Sequence, residues 1–196
     1  MAETVVKKIT LGSGKLYATT FTGTIPEVET LTVENNLLGY IQGGATLEYK
    51  PTFYDAKDDL GYVQETIITE EEATLKSGVM TWNGKTLAKL SDTARVTEDN
   101  SEHTRTVKIG GIGNMKREKY VIVFHHEDPK NGDIWVIIVG QNQAGFTLTF
   151  AKDKETVIDA EFKCLAQDDE GTLIQYVEED STITAGKVIK KQAETK

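Results

Sequence analysis

The sequence has very few of the residues that cross-link small secreted proteins or interrupt regular structure. Of its 196 residues, one is cysteine (Cys164) and three are proline. A single cysteine permits no internal disulfide, which favours a reducing compartment. No apolar run approaches the length of a membrane span, and the first residues lack the apolar core of a signal peptide. We therefore expect a protein that is made and folded in a cytoplasm and has no membrane partner.

Basic residues are also scarce, and they are unevenly distributed. The formal net charge is −9, from 22 Lys and Arg against 31 Asp and Glu. Residues 181–196 contain four lysines and one glutamate, a charge of +3, so residues 1–180 carry −12. Binding to nucleic-acid phosphates needs clustered Lys and Arg. An acidic body argues against DNA wrapping, and it is typical either of a solubilising surface or of one that repels DNA.

An alternation of apolar and polar residues dominates the chain and predicts β-strands. The strands are expected at residues 5–10, 15–21, 44–54, 73–81, 105–109, 120–125, 134–139, 145–150, 156–164 and 172–177. Many short strands at close spacing indicate a mainly β fold, an antiparallel β-sandwich or barrel.

One segment predicts a short flanking helix at about residues 83–94. Asn83 is a suitable N-cap, and Leu87 and Leu90 follow at helical spacing. The expected core combines the apolar side of this helix, the two tryptophans and the apolar face of the strand at 156–164. It includes Trp82, Leu87, Leu90, Trp135, Phe162 and Cys164.

The longest alternation is ATLEYKPTFYD, residues 45–55. Its apolar set suits a core: Ala45, Leu47, Tyr49, Pro51 and Phe53. With a return strand at about 72–80 it predicts a long hairpin within residues 44–81, closed by a loop at 55–63. Pro51 cannot donate a ladder hydrogen bond, so the strand lies at an edge or breaks its pairing there.

No motif indicates catalysis, a metal or a cofactor. The glycine-rich run at 109–114 leads into a charged turn and a strand, whereas a phosphate-binding loop must lead into a helix. His125 and His126 are neighbours in a predicted strand and point to opposite faces, which disfavours a shared metal ion. No carboxylate pair has the apolar setting of a tuned acid and base. We expect a protein that is not an enzyme.

Several segments, in chain order, resemble the major tail tube proteins of long-tailed bacteriophages, especially the flexible-tailed type. They are LGSGKLYAT, GYIQGGATLEYKPTFYDAKDDLG, EATLKSGVMTWNGKTLAKL, VKIGGIGNMKREKYVIVFHHE and GFTLTFAKDKETVIDAEFKCLAQDDEGTLIQYVEE. The resemblance covers about residues 11–180 and consists of patterns rather than of invariant catalytic residues. The resemblance does not extend to the C-terminal lysine run.

This resemblance implies a single domain at residues 13–180, with an N-terminal arm at 1–12 and a basic C-terminal arm at 181–196. Six subunits would form a ring, and stacked rings would form the tail tube that conducts the genome into the host. The implied location is the virion, with partners such as further copies and the tape measure, terminator and distal tail proteins. DNA would pass without specific binding. The tubes of contractile tails and type VI secretion share the fold, so the inner tube of a contractile injection system stays open.

The polar faces of the hairpin are the candidate lumen lining. The residues are Thr46, Glu48, Lys50, Thr52, Glu72, Thr74 and Lys76. A solvated outer face is the alternative. Residues in the hairpin loop are candidates for contact between rings: Asp58, Asp59, Leu60 and Tyr62. Both arms have strand character and could pair with a neighbouring chain. A monomeric β-sandwich module that binds glycans or decorates a capsid is the competing function, which an expected scarcity of exposed aromatics disfavours.

Overall fold

The computed structural model describes residues 14–62, 64–180 and 183. The predicted strand at 5–10, the N-terminal arm and, apart from Ile183, the C-terminal arm lie outside this part of the chain. The elements are β1 (Lys15–Thr20), α1 (Val28–Leu31), β2 (Leu37–Lys57), β3 (Gln64–Val79), α2 (Gly84–Leu90), β4 (Arg95–Asp99), β5 (Thr104–Lys108), β6 (Tyr120–His126), β7 (Ile134–Asn142), β8 (Ile158–Leu165) and β9 (Ile174–Glu178).

Six antiparallel strands form a closed barrel. They pair in the order β6, β1, β2, β3, β8 and β7, and β7 pairs again with β6 to complete the circuit. β9 pairs with the same edge of β7 as β8 does. β8 occupies the end of β7 from Val139, which lies opposite Leu165, and β9 occupies the part up to Ile138, which lies opposite Ile174. β4 and β5 form a separate two-stranded sheet. The prediction of a mainly β, antiparallel fold is confirmed.

The predicted helix is real but shorter than expected. The Asn83 side chain accepts hydrogen bonds from the backbone N–H groups of Lys85 and Thr86, and the Thr86 hydroxyl accepts one from the Asn83 N–H. This reciprocal capping fixes the start of α2. The helix ends at Leu90, whose carbonyl accepts a hydrogen bond from the Asn142 side chain. The four-residue helix α1 was not predicted.

Several predicted strand boundaries and two strand assignments need correction. β2 begins at Leu37 instead of residue 44, because a bulge at Gly43 and Gly44, both with positive φ, lets the strand continue through them. β3 begins at Gln64 instead of residue 73. β2 runs to Lys57 instead of residue 54, so residues 55–57 of the predicted loop at 55–63 are paired strand. β4 was not predicted, since all five of its residues are exposed and carry no apolar alternation. The segment 145–150 is no strand, because no neighbouring strand pairs with it in the described chain.

The barrel interior and one outer face are both buried. The interior core draws on every barrel strand and on α2, with residues such as Leu16, Leu75 and Ile122. On the outer face of β1, β6 and β7, a second cluster is covered by the segment from Phe21 to Leu37. Of the expected core residues, Leu90, Phe162 and Cys164 are buried in the interior. Trp82 and Leu87 are only partly buried against it, and Trp135 is partly buried in the second cluster.

The two ends of the barrel carry different features. At one end Lys15 lies opposite both His125 and Tyr40, and β2 continues past Tyr40 to Lys57. The chain therefore leaves the barrel there as a long hairpin, and we name this the hairpin end. At the other end, the helix end, the Lys89 ammonium donates to the Ala18 carbonyl at 2.5 Å and Asn142 caps α2.

Candidate functional site

The β2–β3 hairpin extends well beyond the barrel. Its strands pair from Ile41 opposite Val79 out to Lys57 opposite Gln64. β3 pairs with β8 only as far as Thr74 opposite Lys163. Within the described residues, the chain from 49 to 73 is therefore a two-stranded ribbon with no further strand beside it, and we call this segment the ribbon.

One face of the ribbon exposes a row of apolar side chains, interrupted by Glu71 opposite Pro51 and by Asp55 opposite Thr66; we call it the apolar face. Alternation along β2 places Leu47, Tyr49, Pro51 and Phe53 on this face, and Ile68 lies opposite Phe53. Leu47 is 38% exposed, Tyr49 47%, Phe53 56% and Ile68 51%. The expectation that this apolar set belongs to the core is wrong, except for Ala45, which packs against the interior cluster. The reason is that the ribbon extends past the barrel that would cover it.

The opposite face of the hairpin brings the predicted lumen residues together. Thr46 lies opposite Lys76, Glu48 opposite Thr74, and Lys50 opposite Glu72. Thr52 continues the row opposite Glu70, just before a bulge that shifts the register by one residue. The hairpin therefore presents these residues as one polar face, and we call it the polar face.

Strand β8 also contributes to the polar face. The sequence analysis did not predict this contribution. Its exposed residues alternate, and Lys163 lies opposite Thr74 while Glu161 lies opposite Lys76. The alternation of Asp159, Glu161 and Lys163 is visible in the sequence, but the neighbour of β8 is decided only by the tertiary pairing.

Each lysine of the polar face is paired with a carboxylate. The Nζ–O distances are 2.8 Å for Lys50 with Glu48, 3.3 Å for Lys76 with Glu161 and 2.9 Å for Lys163 with Glu72. The hydrogen bond from Lys163 lowers the pKa of the Glu72 carboxyl, and the one from Lys50 does the same for Glu48. Exposed pairs of this kind contribute little to stability. Their main effect is to neutralise the local positive charge.

The tip of the ribbon is a tight, exposed turn. The Gly61 N–H donates to the Asp58 carbonyl at 3.1 Å, and Gly61 has a positive φ of 70°. The candidate ring-contact residues all lie here on the surface: Asp58, Asp59, Leu60 and Tyr62. Leu60 is 75% exposed and Tyr62 84%.

The two histidines end β6, at the hairpin end of the barrel. The His125 ring stacks on Trp135 with centroids 5.0 Å apart, and its Nε2 lies 2.8 Å from an Asp133 carboxylate oxygen. Among the described residues, no three His, Cys, Asp or Glu side chains are grouped to hold a metal ion. No helix in that part of the chain is long and apolar enough to cross a bilayer.

Exposed aromatic side chains are more numerous than expected. They are Tyr40, Tyr49, Phe53, Tyr54, Tyr62, Phe150 and Tyr176. Four of them lie on the ribbon or at its tip. The expectation that exposed aromatic residues are scarce, which disfavoured a binding module, is therefore wrong. The ribbon extends beyond the barrel, so its aromatic side chains are not buried in the core.

No protein-family model matches the chain, and no curated protein is similar to it at a significant level. The function is therefore inferred from the ribbon, the polar face and the closed barrel.

Proposed function

We propose that this chain is a structural subunit that assembles into rings, six to a ring as the resemblance implies, which stack into a phage tail tube that conducts the genome. The ribbon is the observation that carries the proposal. It is ordered as two strands, yet it exposes an apolar face that its own barrel does not cover. Exposed apolar patches of this kind mark interaction sites in soluble proteins.

The position of the ribbon supports open-ended assembly. It leaves from the hairpin end, and stacking in one direction would bring its apolar face onto a different surface of the next copy. A contact between two different surfaces is heterologous, and such contacts build rings when the rotation closes and filaments when it does not. A stacked tube needs both kinds of contact, one within a ring and one between rings.

The charge of the polar face supports its placement at or near the lumen. Lys50, Lys76 and Lys163 are all paired with carboxylates. Each free lysine or arginine on a channel wall adds a phosphate contact and raises the affinity for DNA. A wall whose lysines are neutralised, on a body with a net charge of −12 over residues 1–180, lets DNA slide without being held.

A monomeric glycan-binding module is the second candidate function. The exposed aromatic rings of the ribbon favour it, because aromatic side chains can offer flat apolar faces to sugars. Tyr49, Tyr54 and Tyr62 also carry hydroxyl groups suited to hydrogen bonds. The tube is preferred because the exposed apolar residues of the ribbon include the aliphatic Ile68, which suits packing against protein.

Electron microscopy of the full chain at increasing concentration distinguishes the two functions. Rings or rods in negative stain, with a matching high-mass species in sizing chromatography, are expected. Labelling the chain in intact phage particles and finding it along the tail is the stronger positive result. A monomer at every concentration that binds host cell-wall glycans, together with particles that lack the chain in their tails, contradicts the tube and supports the second candidate.

A further inference from the structure

The loop between β5 and β6 holds apolar side chains out in solvent. Ile112 is 89% exposed, and Ile109 and Met115 on either side of it are 44% and 50% exposed. The backbone is nevertheless ordered by a local turn, in which the Met115 N–H donates to the Ile112 carbonyl at 3.2 Å. We call residues 109–115 the isoleucine loop. None of the three side chains packs in either buried cluster of the described chain, so their apolar area is available to a partner.

Two hydrogen bonds fix the isoleucine loop to the helix end of the barrel. The Gly110 N–H donates to the Thr93 hydroxyl at 3.1 Å, and the Lys116 N–H donates to the Asp92 carbonyl at 3.0 Å. Both acceptors follow shortly after α2 in the chain. A surface that is held at both ends loses little conformational entropy when a partner packs on it.

The isoleucine loop is framed by basic residues. Four of them are exposed: Lys108, Lys116, Arg117 and Lys119. With Glu118 as the one carboxylate, residues 108–119 carry four positive charges and one negative charge, a net charge of +3. Within the part of the chain that the structure describes, none of these four cations forms an ion pair. The loop is therefore a basic surface with an apolar centre on an otherwise acidic body.

The tip of the ribbon combines the opposite charge with a similar apolar centre. Leu60 is 75% exposed and Tyr62 84%. Four acidic residues flank them in the sequence: Asp55, Asp58, Asp59 and Glu65. With Lys57 as the one cation, residues 55–65 carry a net charge of −3. An apolar centre with complementary rim charges is the arrangement by which protein interfaces select a partner.

The tip and the isoleucine loop lie beyond opposite ends of β1. β2 passes Lys15 through Tyr40 and continues outward to the tip, whereas the loop leads into Tyr120, which lies opposite Thr20 at the other end of β1. The tip therefore points away from the loop of its own copy. A copy stacked in the same orientation offers its loop to that tip.

We infer that the ribbon tip of one copy docks on the isoleucine loop of another copy. This inference rests on the proposed function, because it requires assembly of the chain, and it names the surface that receives the ribbon. Both surfaces are exposed in the single chain, so the chain does not make this contact within itself. Like charges disfavour the symmetric alternatives, tip on tip and loop on loop. A tip-to-loop contact joins two different surfaces and can repeat from copy to copy.

Disulfide trapping between two single-cysteine variants tests the docking. Leu60→Cys chains are mixed at high concentration with isotope-labelled Ile112→Cys chains, oxidised mildly and analysed by mass spectrometry. Native Cys164 is buried, so it does not compete. A disulfide-linked heterodimer is expected. Ala151→Cys, at another exposed site, replaces Ile112→Cys in the matched control, which is expected to give no more dimer than the unmodified chain.

Charge exchange tests whether the complementary rims guide this contact. Asp59→Lys, added to the Leu60→Cys chain, should lower the yield of heterodimer roughly tenfold, because it places a cation against the basic rim of the loop. Lys116→Asp, added to the Ile112→Cys chain, should restore the yield. Equal yields from all combinations would refute docking guided by charge.

Negative-stain images of the same samples separate the docking from the proposed function. Rings or rods without a heterodimer overturn the docking and leave the proposed function intact. A heterodimer without rings or rods supports the docking and refutes the tube, while neither product refutes both. An equal yield of dimer from Leu60→Cys alone, or from Ile112→Cys alone, overturns the choice of the receiving surface.

Discussion

Removal of the Phe53 ring tests the ribbon as the assembly element. Phe53 is 56% exposed, so about 100 Å² of a typical aromatic surface of about 200 Å² is available to a partner. At about 25 cal/mol per Å² of apolar surface, burial of that area stabilises a contact by about 2.5 kcal/mol. The Phe53→Ala variant should therefore need a roughly 60-fold higher concentration to form rings or rods.

The assay is sedimentation across a concentration series, with thermal unfolding of the same samples. Because the side chain is exposed, Phe53→Ala should change the free energy of unfolding by less than about 0.5 kcal/mol. Tyr54 offers a matched control, since its ring is 58% exposed and points to the opposite face. Tyr54→Ala should leave the assembly concentration unchanged. Equal shifts for both variants, or no shift for Phe53→Ala, would refute the assignment of the apolar face to a contact.

Three further predictions follow from the charged and buried groups. Glu48→Lys combined with Glu72→Lys should leave the fold intact, since exposed ion pairs contribute little to stability, but should slow DNA ejection from intact particles; wild-type ejection kinetics would contradict a lumen position. Burial raises the pKa of the Cys164 thiol to about 11, so alkylation at pH 8 should be about 100-fold slower than in urea-unfolded chain, and equal rates would show an accessible thiol. Desolvation raises the pKa of Asp133, but hydrogen bonds including the one from His125 outweigh it and lower the pKa overall. The stabilisation by ionised Asp133 is therefore complete above about pH 4 and is lost as pH falls through the folded-state pKa. The free energy of unfolding, measured by chemical denaturation, should therefore fall less steeply with decreasing pH in Asp133→Asn than in the wild type. The same slope in both proteins would contradict this.

The parts of the fold that sequence patterns predict are those where burial and periodicity agree. β6 and β7 are apolar on both faces, because the barrel core covers one side and the segment from Phe21 to Leu37 covers the other. Their continuous apolar runs and flanking turn residues make them visible in the sequence. α2 was predicted for a similar reason, since Asn83 supplies a cap whose chemistry is local.

The apolar face of the ribbon shows where the same method fails. Alternation indicates that Leu47, Tyr49 and Phe53 share a face, but it contains no information on whether another layer covers that face. The predictions for β4 and for residues 145–150 were wrong because local sequence does not show whether a segment has a pairing partner. A strand exists only where a neighbour pairs with it, and neighbours are fixed by tertiary structure.

The candidate site was predicted more completely than its surroundings. The polar residues of β2 and β3 fall on one face because their register follows directly from the hairpin. The contribution of β8, and with it the pairing of Lys76 and of Glu72, required knowledge of which strand lies beside β3. Long-range pairing of this kind is the part of a β fold that local sequence determines least.

If the chain assembles as proposed, closure of the barrel within a single chain separates folding from assembly in time. The six strands complete their hydrogen-bond circuit without a strand from a neighbour, so the body can fold before it meets another copy. The ribbon differs, because an isolated two-stranded hairpin is marginally stable in water. Its outer part should fray in the free subunit and become fixed on contact. A newly made subunit would then persist as a soluble pool until a growing end supplies the missing surface, and growth would proceed from that end rather than throughout the cell.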